Sequence, residues 1–176
     1  MKTNVALVGF MASGKTVVAR RLARRLGKKL VELDTLIEQR ASKTVARIFA
    51  EDGETAFREW EIALVKEVAI GRDQVIATGG GVVLNKINID RLRQGSIIVY
   101  LEALPPAILR RTQASATVRP LLAGEDKATT IEKMLRLRQP YYDRAADIRL
   151  DTSVMTVDAV ADQIVKLLKQ YEDFTP

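Results

Sequence analysis

Residues 9–16 have the composition and spacing of a phosphate-binding loop (P-loop). Gly9 and Gly14 have four residues between them and are followed directly by Lys15 and Thr16. The glycines allow the backbone to curl so that several amide N–H groups point at the oxygens of one phosphate chain. In such a loop the lysine reaches the β- and γ-phosphates of a nucleotide, and the threonine hydroxyl binds Mg²⁺. The octet therefore predicts chemistry on a nucleoside triphosphate.

The surrounding sequence places this loop between a strand and a helix. Residues 5–8 are a short apolar run of β-prone type, and Val18, Leu22 and Leu26 follow the loop at helical spacing. The phosphates would thus lie at the positive end of a helix dipole. We expect the nucleotide contacts to come from six consecutive residues: Ala12, Ser13, Gly14, Lys15, Thr16 and Val17.

Two further features could serve a phosphoryl acceptor. Asp34 ends the predicted second strand, residues 29–34, and can accept a hydrogen bond or a proton from a hydroxyl. It could also cap the helix that follows. Gly79, Gly80 and Gly81 follow the predicted third strand, residues 75–78. They permit close approach of the backbone to a small ligand, although a flexible turn would have the same composition.

Two arginines could recognise an anionic acceptor. Arg58 lies within a predicted helix and Arg138 lies just before Gln139 and Pro140. Each could offer a planar pair of donors to a carboxylate, or could form an ordinary surface ion pair. Glu61 is one helical turn from Arg58, so it either holds that guanidinium in place or is its exposed partner.

Composition restricts the chemistry. The 176 residues are 47% hydrophobic, which suits one well-buried α/β domain. No apolar stretch approaches the roughly 20 residues needed to span a bilayer, and residues 1–4 lead directly into the first strand, so we expect a cytoplasmic protein.

The chain has no Cys and no His. Any general base is therefore a carboxylate or a lysine, and any metal must be a hard, oxygen-bound one.

The net charge of +6 raises the alternative of a nucleic-acid partner. The densest basic run, residues 20–29, falls in the second half of the first predicted helix, where cations complement the helix dipole. Few aromatic residues are available to stack on bases. We therefore expect a solvated helix face and no nucleic-acid or membrane partner. The excess positive charge also fits a pocket for two anionic substrates.

The order of predicted elements indicates the fold class. Strands alternate with helices, so we expect an α/β protein with a parallel sheet covered on both faces and ligands at the carboxyl ends of its strands. Residues 114–128 lack periodicity, as a lid would. The tail after residue 170 is expected to fray. The predicted helices are 34–41, 44–51, 54–70, 88–94, 105–113, 129–138 and 157–170, and the later strands are 96–101 and 147–151.

Together these features resemble the shikimate kinase family over residues 4–168. The resemblance rests on the P-loop, Asp34, residues 48–61, the three glycines, residues 119–122, and Arg138 before Pro140. It implies a three-layer α/β/α P-loop kinase fold with a five-stranded parallel sheet, similar to nucleoside monophosphate kinases. It also implies one domain over residues 1–176, with an acceptor-binding helical segment at about 34–70 and a lid at about 114–128.

The family resemblance implies an activity and its requirements. Members transfer a phosphoryl group from ATP, with Mg²⁺, to the 3-hydroxyl of shikimate, a step toward chorismate and the aromatic amino acids. By this resemblance the protein would act on shikimate and ATP, and because nothing in the sequence demands an oligomer we expect a monomer. Lys15 and Asp34 would be catalytic, Asp34 by holding the shikimate hydroxyls and assisting the attacking one. Arg119 would be the catalytic arginine of the lid, swinging over the phosphates, unless it is a solvated loop residue.

The same resemblance implies roles for the remaining site residues. Arg58 and Arg138 would clamp the shikimate carboxylate, with Gly79, Gly80 and Gly81 along the ring and Glu61 beside Arg58. Phe49 and Phe57 would line the apolar side of the acceptor pocket, or would only pack in the core. Arg111 would stack on adenine, unless it is a helix-surface residue.

Two segments depart from the family pattern. Glu32 stands where many members carry an aspartate that orders the waters around Mg²⁺, so the resemblance gives Thr16 and Glu32 as the metal-binding residues. Residues 153–156 match the adenine-flanking segment poorly.

Two alternative functions stay open from the residues alone. Another kinase of this fold could act on gluconate or on a nucleoside monophosphate. A nucleotide-dependent switch protein would need a base reader, and residues 85–88, Asn-Lys-Ile-Asn, carry an amide where a guanine reader needs a carboxylate.

Overall fold

A computed structural model describes residues 1–115, 120–122 and 126–175, and in this part of the chain five parallel strands form one sheet. The strands are β1 (Asn4–Val8), β2 (Lys29–Glu32), β3 (Gln74–Ala77), β4 (Ser96–Glu102) and β5 (Ile148–Asp151). Their order across the sheet is β2-β3-β1-β4-β5. This confirms the predicted five-stranded parallel sheet.

Helices cover both faces of the sheet. They are α1 (Lys15–Leu26), α2 (Leu33–Ala41), α3 (Val45–Arg47), α4 (Gly53–Ala69), α5 (Lys86–Gly95), α6 (Pro105–Gln113), α7 (Lys127–Ala145) and α8 (Val157–Leu168). A π-helical segment, Ile48–Asp52, joins α3 to α4, and short 3-10 turns span Val82–Leu84 and Pro120–Leu122.

The central strand β1 divides the core into two apolar layers. Ala6 and Val8 face a layer shared with α2, α4, α5, α6 and α7, whereas Val5 and Leu7 face a layer shared with α1 and α8. All four side chains are fully buried. The sequence of a strand that is buried on both faces is a continuous apolar run, which is why residues 5–8 could be predicted to form a strand. The fold is the three-layer α/β/α arrangement that the sequence predicts.

The topology brings the chemically interesting loops together. After β1 the chain builds the β3 and β2 side of the sheet, and then crosses to β4 and β5 on the other side. In open α/β sheets, ligands bind beyond the carboxyl ends of the strands where the order reverses. The P-loop follows β1 at this reversal, and residues 79–81 follow the neighbouring strand β3.

The predicted end of β2 was wrong by two residues. The strand ends at Glu32, and Leu33 begins α2, so Asp34 lies in the first turn of a helix and not at the end of a strand. Leu33 and Ile37, one turn apart, are both fully buried, and this packing draws residue 33 into the helix. The N-cap position is Glu32, which excludes Asp34 as the capping residue.

Tertiary packing also overrides the other boundary predictions. The predicted helix 129–138 continues as α7 to Ala145 through Pro140, because Leu135, Tyr142 and Ala145 bury one face. The predicted helix 44–51 is divided into α3 and the π-helical segment. The tail does not fray at residue 170, since Phe174 is 7% exposed and its backbone pairs with Lys2.

The basic run lies on α1 and makes ion pairs. Arg21 and Arg25 pair with Asp158 on α8, Arg25 also reaches Asp162, and Arg20 pairs with Glu32. Much of this positive charge is therefore balanced within the protein.

Among the helices of the described residues, none is long and apolar enough to cross a membrane.

Candidate active site

The P-loop has the backbone that a phosphate site requires. Gly14 is the N-cap of α1 and has a φ of 98°, a conformation that side chains rarely adopt. A Cβ atom on Gly9 would lie 2.5 Å from the carbonyl oxygen of Leu101 on β4. The first turn of α1 has no acidic residue and its N-cap makes no side-chain hydrogen bond. Its amide groups are thus suited to an anion.

Lys15 is held across the mouth of this loop. Its Nζ atom donates to the carbonyl oxygens of Gly9 at 2.8 Å and Phe10 at 2.9 Å, and the residue is 8% exposed. Thr16 and Val17, next along the helix, are exposed. Ser13 Oγ is buried, and the described residues give it no hydrogen-bond partner. The arrangement leaves polar atoms suited to phosphate oxygens.

Asp34 faces the P-loop from the first turn of α2. Its side chain is exposed to the cleft, but the surrounding protein atoms limit its hydration, and this raises the pKa of its carboxyl above the ordinary value. The ammonium group of Lys15 is the nearby charge that most opposes the rise. A carboxylate and a lysine opposed in this way are placed to hold an acceptor hydroxyl beside a phosphate.

Arg58 and Glu61 form an ion pair on the cleft side of α4. Arg58 Nη1 lies 3.0 Å from Glu61 Oε2, and Arg58 also pairs with Glu54 at 2.9 Å. Glu61 is only 1% exposed, so it is not the exposed partner that the sequence left open. Burial raises the pKa of Glu61 to about 7, against the opposing charge of Arg58. The pair fixes the guanidinium in one orientation.

The glycine turn, residues 79–81, fits between these side chains. A Cβ atom on Gly79 would lie 2.8 Å from Glu61 Oε1 and 3.1 Å from Asp34 Oδ1. A Cβ atom on Gly81 would clash with the Arg58 guanidinium. A side chain at residue 79 or 81 would therefore displace the charged groups of the site, so these two glycines do more than form a turn.

Arg138 completes this group from α7. It is 8% exposed, its Cζ atom lies 5.8 Å from the centre of the Phe10 ring, and Nη1 has no hydrogen-bond partner among the described residues. Its charge, like that of Arg58, acts on Glu61. The structure thus brings Asp34, Arg58, Glu61, Gly79 and Arg138 together in what we call the acceptor cleft.

Phe49 and Phe57 lie beside the acceptor cleft and also belong to the core. Their ring centres are 4.8 Å apart, and Arg58 Cζ lies 5.2 Å from the centre of the Phe57 ring. Phe57 is 4% exposed, while Phe49 is partly buried. Packing and pocket lining are therefore compatible for this pair.

Comparison with known proteins identifies the family. The family model for shikimate kinase matches residues 11–169. The shikimate kinase of Moorella thermoacetica is 44% identical over 171 residues, 97% of this chain and 97% of its own. The chain belongs to the shikimate kinase family. It is therefore an enzyme of the kinase class, with ATP as phosphoryl donor.

Solved structures give the same result for the fold. The shikimate kinase from Acinetobacter baumannii, solved in complex with shikimate, is 32% identical with a TM-score of 0.93, covering 98% of this chain and 96% of that one. A gluconokinase from Sinorhizobium meliloti has a TM-score of 0.62 over 96% of this chain and 94% of its own, at 15% identity. At that level of sequence identity, the similarity to the gluconokinase shows only a shared fold.

The sequence left open whether Arg111 lies on a helix surface. In the structure it is partly buried between the P-loop and Thr152. Its Nη2 atom donates to the carbonyl oxygen of Thr152 at 2.6 Å, and Nη1 lies 3.4 Å from the P-loop carbonyl oxygens of Ala12 and Ser13. Burial lowers the pKa of Arg111. The guanidinium thus links the P-loop to the end of β5. Its stacking on adenine stays a prediction.

Glu32 is engaged by a neighbouring cation. Arg20 Nε donates to Glu32 Oε1 at 2.8 Å, and Arg20 Nη2 donates to Glu32 Oε2 at 3.2 Å. In the described residues, no group of three or more His, Cys, Asp or Glu side chains could hold a metal ion. The metal role of Glu32 stays a prediction.

Arg119, the predicted lid arginine, lies outside the described residues, as does much of the predicted lid over 114–128. Its catalytic role is therefore untested.

Two further residues, Tyr142 and Thr152, contact the site although sequence reasoning gave them no role. The Tyr142 hydroxyl donates to the carbonyl oxygen of Gly80, and Thr152, 3% exposed, lies 3.2 Å through its Oγ1 from the carbonyl oxygen of Ser13. Tyr142 is one turn after Arg138, which would have been a usable signal had α7 been expected to continue past Pro140. Nothing in the sequence marks Thr152.

Proposed function

We propose that this protein transfers the γ-phosphoryl group of ATP, with Mg²⁺, to the 3-hydroxyl of shikimate, a step toward chorismate and the aromatic amino acids. One observation carries the choice of acceptor: two guanidinium groups, that of the partly buried Arg58 and that of the buried Arg138, lie in the same cleft as Asp34. A small acid with several hydroxyls matches that cleft, because its carboxylate would meet the arginines and its hydroxyls would meet Asp34.

The donor side of the reaction depends on the P-loop. Its backbone and Lys15 would hold the phosphates, and Ala12, Ser13, Gly14, Thr16 and Val17 would complete the contacts. Phosphoryl transfer passes through a loose transition state, so positioning and charge matter more than a strong base. Moving from the loop carbonyls to a phosphate would let Lys15 place its charge on the transferred group.

The acceptor side depends on Asp34. Its carboxylate would accept a hydrogen bond from the 3-hydroxyl, turn that oxygen toward the γ-phosphorus, and take the proton as the bond forms. The raised pKa of Asp34 suits a group that must receive a proton. Arg58 and Arg138 would fix the far end of the ring, with Glu61 and residues 79–81 alongside and Phe49 with Phe57 on the apolar side.

The residues present fit a magnesium ion held mainly by the nucleotide. Thr16, the second residue of α1, is exposed, and Mg²⁺ typically takes one or two protein oxygens with the substrate phosphates and water. When bound, the ion would offset negative charge on the phosphates. A Mg²⁺ titration of Glu32→Gln tests the remaining ligand role: several-fold weaker half-saturation supports it, and unchanged half-saturation leaves Glu32 as the partner of Arg20.

The domain organisation belongs to the same proposal. Residues 1–176 would act as one cytoplasmic, monomeric kinase domain, with 34–70 binding the acceptor and 114–128 closing as a lid. Arg119 would then reach the phosphates, and closure would exclude water as a competing acceptor.

The test is ADP release in a coupled assay with ATP and Mg²⁺. Shikimate is compared with gluconate, a panel of nucleoside monophosphates, and no acceptor. Turnover that requires shikimate supports the proposal. Turnover with gluconate would instead indicate a gluconate kinase, as in the gluconokinase of similar fold. ATP hydrolysis without any acceptor would indicate a switch protein.

A further inference from the structure

A buried tyrosine on α7 contacts the backbone of the glycine turn. Tyr142 is fully buried, and its hydroxyl donates a hydrogen bond to the carbonyl oxygen of Gly80. Its ring is stacked on Tyr100 of β4, with centres 4.9 Å apart and planes 7° from parallel. The ring packing fixes where the hydroxyl lies, so the bond is directed at one peptide group.

That peptide lies where the two halves of the site meet. A Cβ atom on Gly80 would lie 3.1 Å from the amide nitrogen of Met11 and 3.7 Å from the carbonyl oxygen of Gly9, so its backbone packs against the P-loop. The residues on either side, Gly79 and Gly81, approach the acceptor-cleft side chains. A rotation of the Gly80 peptide would therefore disturb the cleft.

The hydroxyl is a permanent donor. Burial raises the pKa of Tyr142 far above its usual range, and the rise is opposed by the charge of Arg138, by a side-chain hydrogen bond with Arg138 and by the charge of Arg58. The phenol keeps its proton at physiological pH, so the bond to Gly80 does not vary with pH. Those same two charges come from the arginines of the acceptor cleft.

The position of Tyr142 on its helix adds a second constraint. It lies one turn after Arg138, whose Nη1 atom is buried and has no hydrogen-bond partner in the described ranges. Fixing α7 against the glycine turn therefore also fixes the distance between Arg138 and the backbone along which the acceptor would lie.

We propose that Tyr142 is a positioning residue for the phosphoryl acceptor, acting through its hydrogen bond to Gly80 to hold the glycine turn and Arg138 in register. The inference rests on the proposed function, because the acceptor in question is shikimate. Tyr142 is fully buried, so in this proposal it touches neither substrate itself.

The test is Tyr142→Phe, which keeps the stacked ring and removes the hydroxyl. We expect the KM for shikimate to rise about tenfold, because the loss of one hydrogen bond leaves a buried carbonyl unpaired, while the KM for ATP stays within about twofold. Shikimate binding without ATP should weaken by the same factor, measured by the fluorescence of Trp60, the one tryptophan of the chain.

Two matched controls separate the Tyr142 hydroxyl from the stacked pair of rings and from its neighbour in the sequence. Tyr100→Phe removes the other hydroxyl of the stack, which bonds to Gln139, and Tyr141→Phe changes the adjacent exposed residue. Both should leave the KM for shikimate within about twofold, since neither hydroxyl contacts the glycine turn.

The outcomes separate this inference from the proposed function. A wild-type KM for shikimate in Tyr142→Phe overturns the inference, as does an equal rise in both KM values, which would mean a general packing role. The thermal unfolding midpoint of each variant is measured first, and all kinetic assays are run at a temperature below the lowest midpoint. Failure of the unmodified protein to phosphorylate shikimate would instead overturn the proposed function.

Discussion

The Glu61 carboxylate lies 3.0 Å from the Arg58 guanidinium and is 1% exposed. Within the described part of the chain its other oxygen, Oε1, has no hydrogen-bond partner. A buried acid of this kind resists ionisation even beside a cation, because burial removes the water that would stabilise its charge. Glu61 therefore orients Arg58 while remaining a group that can carry a proton near neutral pH.

This relationship predicts a pH-dependent stability. Folded, Glu61 has a pKa of about 7 in place of the ordinary 4.5, so the folded state binds the proton more tightly than the unfolded state. The Glu61 contribution to the free energy of unfolding should thus fall as pH rises from about 4.5 to about 7, and then level off.

Urea denaturation of wild type and Glu61→Gln across this pH range measures that contribution. The glutamine variant should show a shallower loss of stability with rising pH. Glu59→Gln, on the exposed side of the same helix, should follow wild type. Parallel curves for wild type and Glu61→Gln would contradict the raised pKa.

Asp34→Asn should lower kcat by about 10²-fold or more, because an amide can still hold a hydroxyl but cannot accept its proton. Steady-state kinetics with circular dichroism measures this. Asp34 is in the first turn of α2, so a small loss of helix stability accompanies the change. Asp90→Asn, an exposed change on α5, is the control. A wild-type kcat in Asp34→Asn would remove Asp34 from the chemical step.

Arg58→Ala should raise the KM for shikimate about tenfold or more with little change in the KM for ATP, because a guanidinium held in one orientation is a specific partner for the acceptor carboxylate. Separate titrations of the two substrates measure the effect. Arg40→Ala removes an exposed ion pair with Glu67 and should change neither constant. Equal changes in both KM values would argue for general damage to the fold.

Gly79→Ala should reduce kcat/KM for shikimate by about 10²-fold, since a misplacement near the reacting groups is costly. The added methyl group would lie 2.8 Å from Glu61 Oε1 and 3.1 Å from Asp34 Oδ1, and would displace both carboxylates. Gly95→Ala, whose nearest contacts are at an ordinary 3.4 Å, is the matched control. Retention of wild-type kcat/KM in Gly79→Ala would show that the turn tolerates a side chain.

Much of the site could be predicted from the sequence because its parts are local. The P-loop is recognisable from its eight residues alone. Because the strands are parallel, the loops after β1 and β3 lie at the same edge of the sheet. The pairing of Arg58 with Glu61 followed from helical spacing, and its burial did not, because burial depends on the packing of α4 against the glycine turn.

The wrong boundary predictions and the missed residues depend on burial and contacts that only the folded chain determines. Leu33 suits a strand or a helix equally well until its packing beside Ile37 is known. Pro140 would ordinarily end a helix, but the buried face of α7 carries the helix past it to Tyr142, which then reaches Gly80. The backbone of Phe174 likewise pairs with Lys2, which lies just before β1 and far away in the sequence.

The most direct test of the phosphoryl-transfer proposal is ³¹P NMR of the protein with ATP, Mg²⁺ and shikimate. We expect the γ-phosphate signal of ATP to be replaced one-for-one by ADP and a phosphomonoester whose phosphorus couples to the proton on carbon 3 of shikimate. Accumulation of inorganic phosphate in place of that ester, or an ester on another hydroxyl, would contradict the proposal.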